Sequence, residues 1–175
     1  VKESGEIHAI LHCVGSFAVR PPHAMNKEAF EAVISTNLTS AFLTLSIAGK
    51  AMLSQGHGRM VFMSSVAGSL GLVNHEAISA AKGGIESMVR SAAATYANRG
   101  LRINAVAPGL TDTKLASPIM SNETASQAAS QKIPVKRVGR KEEVASVVKW
   151  LLTEAPENFT GQIIHTDGGM SNVLV

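Results

Sequence analysis

The chain has 175 residues, of which 45% are hydrophobic and 17% charged, so it suits one globular domain and excludes a disordered protein. Its net charge is +3, but the basic residues are scattered and aromatic residues make up only 4%, which argues against nucleic-acid binding. The single cysteine excludes an intrachain disulfide and favours a reducing, cytoplasmic location. We expect no metal site, because the six histidines are dispersed. We also expect no signal peptide and no membrane span.

The first half of the chain predicts two strands and two helices. The near-continuous apolar run IHAILHCVG (7–15) is typical of a strand buried on both faces of a parallel sheet. Asn26 is the expected N-cap of a long helix that reaches Leu53. MVFMSS (60–65) is the second strand, and a helix rich in small residues follows over 75–98.

The second half continues the alternation of strands and helices. LRINAVAPG (101–109) predicts the third strand, and the long polar segment from Lys114 to Val135 predicts a functional lid. An amphipathic helix (140–154) and a last short strand (161–169) complete the chain. The order predicts an α/β fold, a parallel sheet with flanking helices, in one domain over 1–175.

Five segments resemble, in order and spacing, the second half of the short-chain dehydrogenases/reductases, above all those similar to beta-ketoacyl carrier-protein reductases. The segments are TNLTSAFLT, GRMVFMSSVAGSLGLVNHEAISAAKGGIESM, LRINAVAPGLTDT, KRVGRKEEVASVVKWLL and FTGQIIHTDGGM. The resemblance covers essentially the whole chain. It implies a partial Rossmann-like sheet and an oxidoreductase that uses NAD or NADP to interconvert a hydroxyl and a carbonyl group on a small molecule.

The resemblance also implies roles for individual residues. Asn37 matches the family's helix asparagine, which holds a proton-relay water, and Ser65 matches the serine that stabilises the substrate carbonyl oxygen. Lys82 matches the lysine that binds the nicotinamide ribose and lowers the pKa of the catalytic tyrosine. The remaining cofactor-binding positions implied by the resemblance are Gly15, Pro108, Gly109, Thr111 and Thr113. Hydroxyl donors aimed at a developing oxyanion make chemical sense for hydride transfer to a carbonyl.

One position departs from the family's pattern. The acid/base tyrosine of the family lies four residues before the lysine, and this position is Ile78, which has no titratable proton. Tyr96 is eighteen residues from it, roughly 27 Å along a helix, which is too far to replace it. Histidine is the residue type best suited to proton transfer near neutral pH, and we hypothesise that His75 takes over the proton transfer, with Glu76 orienting it. The alternative is that His75 and Glu76 simply begin the helix.

A second departure concerns the nucleotide. The glycine-rich turn that holds the cofactor pyrophosphate in the family has no counterpart in these residues, so we expect the first βαβ half to be absent. The leading strand would then have a bare, apolar edge that favours pairing or aggregation. We expect a homo-oligomer through the helices at 26–53 and 75–98. The alternative function is a catalytically inactive remnant that serves as a binding or oligomerisation module. A third possibility is that a separate chain supplies the phosphate-binding half.

Two further residues near the first strand have structural interpretations. His12 is expected to be a strand-end histidine with satisfied hydrogen bonds. Cys13 is expected to be a small buried hydrophobic residue.

Overall fold

A parallel β-sheet forms the centre of the molecule in the computed structural model, which describes residues 5–174. The strands are β1 (Ala9–His12), β2 (Gly58–Met63), β3 (Leu101–Pro108), β4 (Thr111–Asp112), β5 (Gly139–Arg140) and β6 (Ile163–Thr166). Four of them form the main sheet in the order β1-β2-β3-β6, with every neighbouring pair parallel. Each crossover between parallel neighbours contains helix, as the alternation of the sequence predicts.

Six α-helices connect and flank the strands. They are α1 (Lys27–Ile34), α2 (Ser40–Gln55), α3 (Glu76–Tyr96), α4 (Ser117–Met120), α5 (Glu123–Gln131) and α6 (Lys141–Thr153). The Asn26 side chain accepts a hydrogen bond from the backbone N–H of Ala29, so the predicted N-cap is confirmed. The long predicted helix is interrupted by a π-helical turn, Ser35–Thr39, which separates α1 from α2.

The helices cover both faces of the sheet. Met60 and Phe62 of β2 point into a core shared with α2 and α3, while Val61 between them packs with Val148 of α6 on the other face. Successive side chains of a strand point to opposite faces, so β2 and β3 need apolar residues at nearly every position. The α/β fold with a parallel sheet and flanking helices is therefore confirmed.

The first strand differs from its prediction. Strand β1 lies at the edge of the sheet, and Leu11 is 40% exposed, so the prediction of burial on both faces is wrong. The apolar run was read correctly as a strand, but burial also depends on what covers it, and no element of residues 5–174 pairs with its outer edge. Cys13, just beyond β1, is likewise exposed and not buried as expected.

The lid region forms two short helices. Between Lys114 and Val135 lie α4 and α5, and strands β4 and β5 form a small two-stranded parallel sheet beside them. Strands β4 and β5 were not predicted, because a two-residue strand is too short to carry a periodic pattern.

The expectation about membrane spans also needs correction. The continuous helical stretch Lys27–Gln55 is long and apolar enough, by length and composition, to cross a bilayer. A core helix passes the same test, and here Ala41, Leu45, Ala48 and Met52 of α2 pack into the main core.

Candidate active site

The predicted functional residues lie at or beyond the carboxyl ends of the parallel strands. Gly15 follows β1, Ser65 follows β2, and Pro108 ends β3. Open α/β sheets bind ligands in the crevice outside these strand ends. Helix α3 runs past the same edge of the sheet and carries Lys82, whose ammonium donates a hydrogen bond to the carbonyl oxygen of Met63 at 2.9 Å.

Lys82 is the strongly perturbed basic residue of the crevice. It is only 7% exposed, and burial lowers its pKa from 10.5 to about 8, because desolvation disfavours the ammonium form. An ammonium group has three hydrogen-bond donors, and within residues 5–174 only one of them is used. Two donors therefore remain for a ligand that enters the crevice.

Asn37 lies in the π-helical turn and is completely buried. Its amide nitrogen donates to the carbonyl oxygen of Val33 and to the hydroxyl of Ser16, both at 2.9 Å, while its side-chain oxygen accepts from the backbone N–H of Ser16 at 3.2 Å. The amide thus connects the helix to the loop after β1. Single π-helical turns often occur at functional sites.

Gly15 lies between Asn37 and Lys82. A Cβ atom added to Gly15 would lie 3.1 Å from the side-chain oxygen of Asn37 and 3.5 Å from the ammonium nitrogen of Lys82. Three residues predicted to share one pocket are therefore brought together from β1, the π-helical turn and α3. The space in front of Lys82 exists because residue 15 has no side chain.

Ser65 occupies the predicted place but is hydrogen-bonded locally. It is the N-cap of a short 3₁₀ turn, Val66–Gly68, and its hydroxyl accepts from the backbone N–H of Ala67 at 3.2 Å. Since Lys82 binds the carbonyl of Met63, two residues before Ser65, both side chains belong to the carboxyl end of β2.

Two buried polar residues beside Lys82 were missed by the sequence analysis. The Ser64 hydroxyl donates to the carboxylate of Glu86 at 2.9 Å, and Glu86 is 3% exposed. Arg90 reaches the other carboxylate oxygen at 3.4 Å. Lys82, Glu86 and Arg90 are spaced four residues apart on α3, and this repeat of charges on one helical face was the signal that could have found them.

Ile78 lies one turn before Lys82 and is 5% exposed. It packs in an apolar cluster with Val33, Ala67 and Ala81. The position that the family reserves for a phenol is therefore filled by hydrocarbon and surrounded by hydrocarbon.

His75 is the residue immediately before α3. Its ring nitrogen Nδ1 lies 2.7 Å from the carbonyl oxygen of Val73, and its ring meets Phe17 edge-on at 6.5 Å between centroids. Helix α3 begins after His75, which places it about two turns, or roughly 10 Å along the axis, from Lys82. Its part in proton transfer stays a prediction.

The turn after β3 holds the other predicted cofactor residues. The Gly109 N–H donates to the carbonyl of Thr166 at 3.2 Å, and the Thr111 hydroxyl donates back to the carbonyl of Gly109 at 3.0 Å. Thr113 is exposed, and its hydroxyl lies 3.4 Å from the carbonyl of Thr111. Gly109, Thr111 and Thr113 thus belong to one hydrogen-bonded turn after Pro108, and the cofactor-binding roles of these four residues stay predictions.

Asp167, next to this turn, fixes the loop that follows β6. Burial alone would raise its pKa, but hydrogen bonds from Ser171 and from the backbone N–H of Gly169 outweigh burial and lower it. These hydrogen bonds stabilise a turn that begins at Asp167.

The electrostatic environment of Lys82 includes two residues near the end of β1. The pKa of His12 is lowered by burial and, secondarily, by the nearby Lys82 ammonium. His12 Nδ1 lies 2.9 Å from the Thr44 hydroxyl, and His12 Nε2 lies 3.1 Å from the Ser40 hydroxyl. The predicted strand-end histidine with satisfied hydrogen bonds is therefore confirmed. Cys13 is exposed as a residue, but partial desolvation of its thiol raises the pKa of that group, and Lys82 partly opposes the shift.

These features define an α/β protein with a cluster of polar side chains at the carboxyl edge of a parallel sheet. A family model described as "Enoyl-(Acyl carrier protein) reductase" matches residues 1–171. The chain is 39% identical over 172 residues to a cis-4-hydroxycyclohexanecarboxylate dehydrogenase from Sinomonas cyclohexanicum, covering 98% of this chain and 68% of that protein. It is 41% identical over 169 residues to the 3-oxoacyl-[acyl-carrier-protein] reductase MabA from Mycobacterium tuberculosis, covering 97% and 68%.

Solved structures agree with the sequence comparisons. ElxO, solved with NADP bound, superposes with a TM-score of 0.91 at 27% identity, covering 97% of this chain and 69% of that one. The chain therefore belongs to the short-chain dehydrogenase/reductase family.

Proposed function

We propose that this chain carries the nicotinamide end and the substrate wall of an NAD(P)(H)-linked oxidoreductase that interconverts a hydroxyl and a carbonyl group on a small molecule. The observation that carries this proposal is the convergence of Gly15, Asn37 and Lys82 at the carboxyl edge of the sheet. The relatives whose names describe such reactions support it, as does the family membership of the chain.

The residues present fit the ribose and nicotinamide of the cofactor. Lys82 keeps two donors for ribose hydroxyls, and Gly15 leaves open the space that a Cβ would fill. Pro108 and Gly109 would line the nicotinamide, with Thr111 and Thr113 near its carboxamide. When bound, the cofactor supplies the hydride chemistry, and the protein supplies orientation and electrostatics.

Reduction of a carbonyl also needs a proton, and Ile78 cannot give one. The Ser65 hydroxyl accepts a hydrogen bond from the Ala67 N–H, and its own proton is not used in that bond. Ser65 can therefore donate a hydrogen bond to the developing oxyanion. His75 is the proposed proton source. If it has this role, a His75→Ala protein loses turnover, whereas unchanged turnover of His75→Ala would refute the role.

Cofactor binding tests the proposal directly. NADPH and NADH titrated into the protein should enhance the nicotinamide fluorescence, and Lys82→Met should weaken binding. Gly15→Ala should also weaken binding, by about tenfold if the displaced contacts are worth 1.4 kcal/mol. Gly71→Ala is the matched control, because a Cβ there meets no atom within 4 Å. No fluorescence change at millimolar cofactor would overturn the proposal.

A second candidate function is a non-catalytic oligomerisation module, and the apolar surroundings of Ile78 are the observation that favours it. Phe42, Leu43 and Ile47 of α2 are 56%, 52% and 65% exposed. Phe42 also lines a groove of about 500 Å³ between α2 and the end of α3. We propose that two copies pack through these helices. A cytoplasmic location remains part of the proposal.

A further inference from the structure

We propose that Glu6, His8 and His57 bind a divalent transition-metal ion of the zinc type at the amino edge of the sheet. One nitrogen of each histidine and one carboxylate oxygen of Glu6 all lie within 4.8 Å of one another. His8 Nε2 is 3.4 Å from a Glu6 oxygen, and the two imidazole rings are 5.2 Å apart. Ligands of a tetrahedral zinc ion lie about 3.3 Å apart, so small side-chain rotations complete the site.

The backbone holds the ligands before any metal arrives. Glu6 and His8 flank Ile7, whose backbone N–H and carbonyl both bond to the side-chain amide of Gln55, at 2.8 and 2.9 Å. Residues two apart in an extended segment point to the same side, so Glu6 and His8 face the same way.

His57 is fixed against His8 by the sheet itself. The Arg59 N–H donates to the carbonyl of His8 at 3.0 Å, and this bond begins the β1–β2 ladder. Gly100 approaches the Gly56 backbone so closely that a Cβ on Gly100 would overlap the Gly56 carbonyl oxygen. The turn that carries His57 is therefore fixed by His8 on one side and by Gly100 on the other.

The chemistry of the three side chains suits zinc better than magnesium or calcium. Two imidazole nitrogens and one carboxylate are ligands that zinc prefers, whereas magnesium and calcium favour oxygen. All three side chains are exposed, so water can supply the fourth ligand. Arg59 and Arg102 line the neighbouring cleft, and both pair with the carboxylate of Glu157, which offsets one of their two positive charges.

The proposed metal site lies at the edge of the sheet opposite Lys82, since His8 and His57 precede their strands. It is therefore independent of the proposed oxidoreductase function. The sequence analysis expected no metal site, because the two histidines are 49 residues apart and only strand pairing brings them together.

Isothermal titration of the chain with Zn²⁺ tests the site. We expect one ion per chain and at least about tenfold weaker binding by His57→Gln and by Glu6→Gln, since even outer contacts of a metal site are worth 10–100-fold. Added Zn²⁺ should raise the unfolding temperature of the unsubstituted protein but not of His57→Gln. Circular dichroism without metal should show that the variants keep their fold.

Two control variants make the result specific. His23→Gln changes an exposed histidine elsewhere, and Cys13→Ser removes the exposed thiol that could bind zinc on its own. Both should bind Zn²⁺ as the unsubstituted protein does. The proposal is overturned if that protein binds no Zn²⁺, if His57→Gln binds it equally well, or if Cys13→Ser abolishes binding.

Discussion

At the scale of single residues, Ile78 decides what chemistry the crevice can perform. A tyrosine at this position would place a phenol one helical turn from the Lys82 ammonium, which would lower the phenol pKa. The apolar cluster around Ile78 would have to accept a larger side chain, at a cost of about 1–3 kcal/mol.

Ile78→Tyr should therefore raise the rate of NADPH-dependent carbonyl reduction, by about 10²–10⁴-fold if the phenol acts as general acid. Ile78→Phe is the matched control, because it adds the same ring without the hydroxyl. The measurement is NADPH oxidation against a panel of ketones. Equal rates for the two variants would show that a missing phenol does not limit the reaction.

Lys82 makes the stability of the fold depend on pH. Its pKa is about 8 in the folded protein, below the ordinary lysine value of 10.5, so the unfolded chain binds more protons between these pH values. The free energy of unfolding should therefore rise from pH 8 to 10.5, by up to about 3 kcal/mol from this group. Below pH 8 the full cost of the buried ammonium is present.

Urea unfolding at pH 7.5 and pH 10 measures this effect. The Lys82→Met variant should lack the part of the rise in the free energy of unfolding that comes from Lys82. Its stability advantage over the unsubstituted protein should therefore be largest at pH 7.5. Lys50→Met, at an exposed position of α2, should keep the rise. Parallel pH dependence in all three proteins would contradict the assignment to Lys82.

At the scale of the element, the N-cap of α1 controls how the chain enters the Asn37 turn. Asn26→Ala removes the acceptor for the Ala29 N–H, which lies 2.9 Å away, and should lower the free energy of unfolding by about 1 kcal/mol. Asn26→Asp keeps an acceptor and should change it little. Urea denaturation of both variants measures the free energy of unfolding. An equal decrease in both variants would show that the N-cap hydrogen bond is not the cause.

The elements also show what a sequence can predict. Strands β2 and β3 and helices α3 and α6 follow from long apolar patterns, and the start of α1 follows from Asn26. The π-helical turn at Asn37 was not predictable, because it shifts the helical register without altering the composition. Ser64 and Glu86 escaped detection because their pairing joins a strand end to a helix 22 residues later.

Three of the predicted site residues lie close together in the structure, while their roles stay predictions. The motif order identified Gly15, Asn37 and Lys82, and the fold brings them together. What motifs could not predict was exposure, since whether Leu11 and Cys13 are covered depends on surfaces outside their own segment. The proposed metal site was not predicted for a related reason, because the pairing of parallel strands has no local sequence pattern.

At the scale of the whole molecule, the exposed apolar face of α2 predicts self-association. Ile47→Glu places a charge at the centre of the proposed interface and should shift the protein to monomer, weakening association by more than tenfold if Ile47 contributes 2 kcal/mol or more. Val73→Glu is the control, because Val73 is 83% exposed and lies outside α2. Light scattering after size-exclusion chromatography gives the masses, and an unsubstituted protein that is monomeric would refute the interface.

The contact between Gly56 and Gly100 bears on how mutational maps of this protein are interpreted. Gly100 has a φ of +84°, and any side chain there would collide with the neighbouring turn. Saturation mutagenesis scored by enzymatic output would therefore rank Gly100 with the chemically important residues, although it lies at the far side of the sheet from Lys82. A parallel score for the amount of folded protein would separate this steric requirement from a catalytic one.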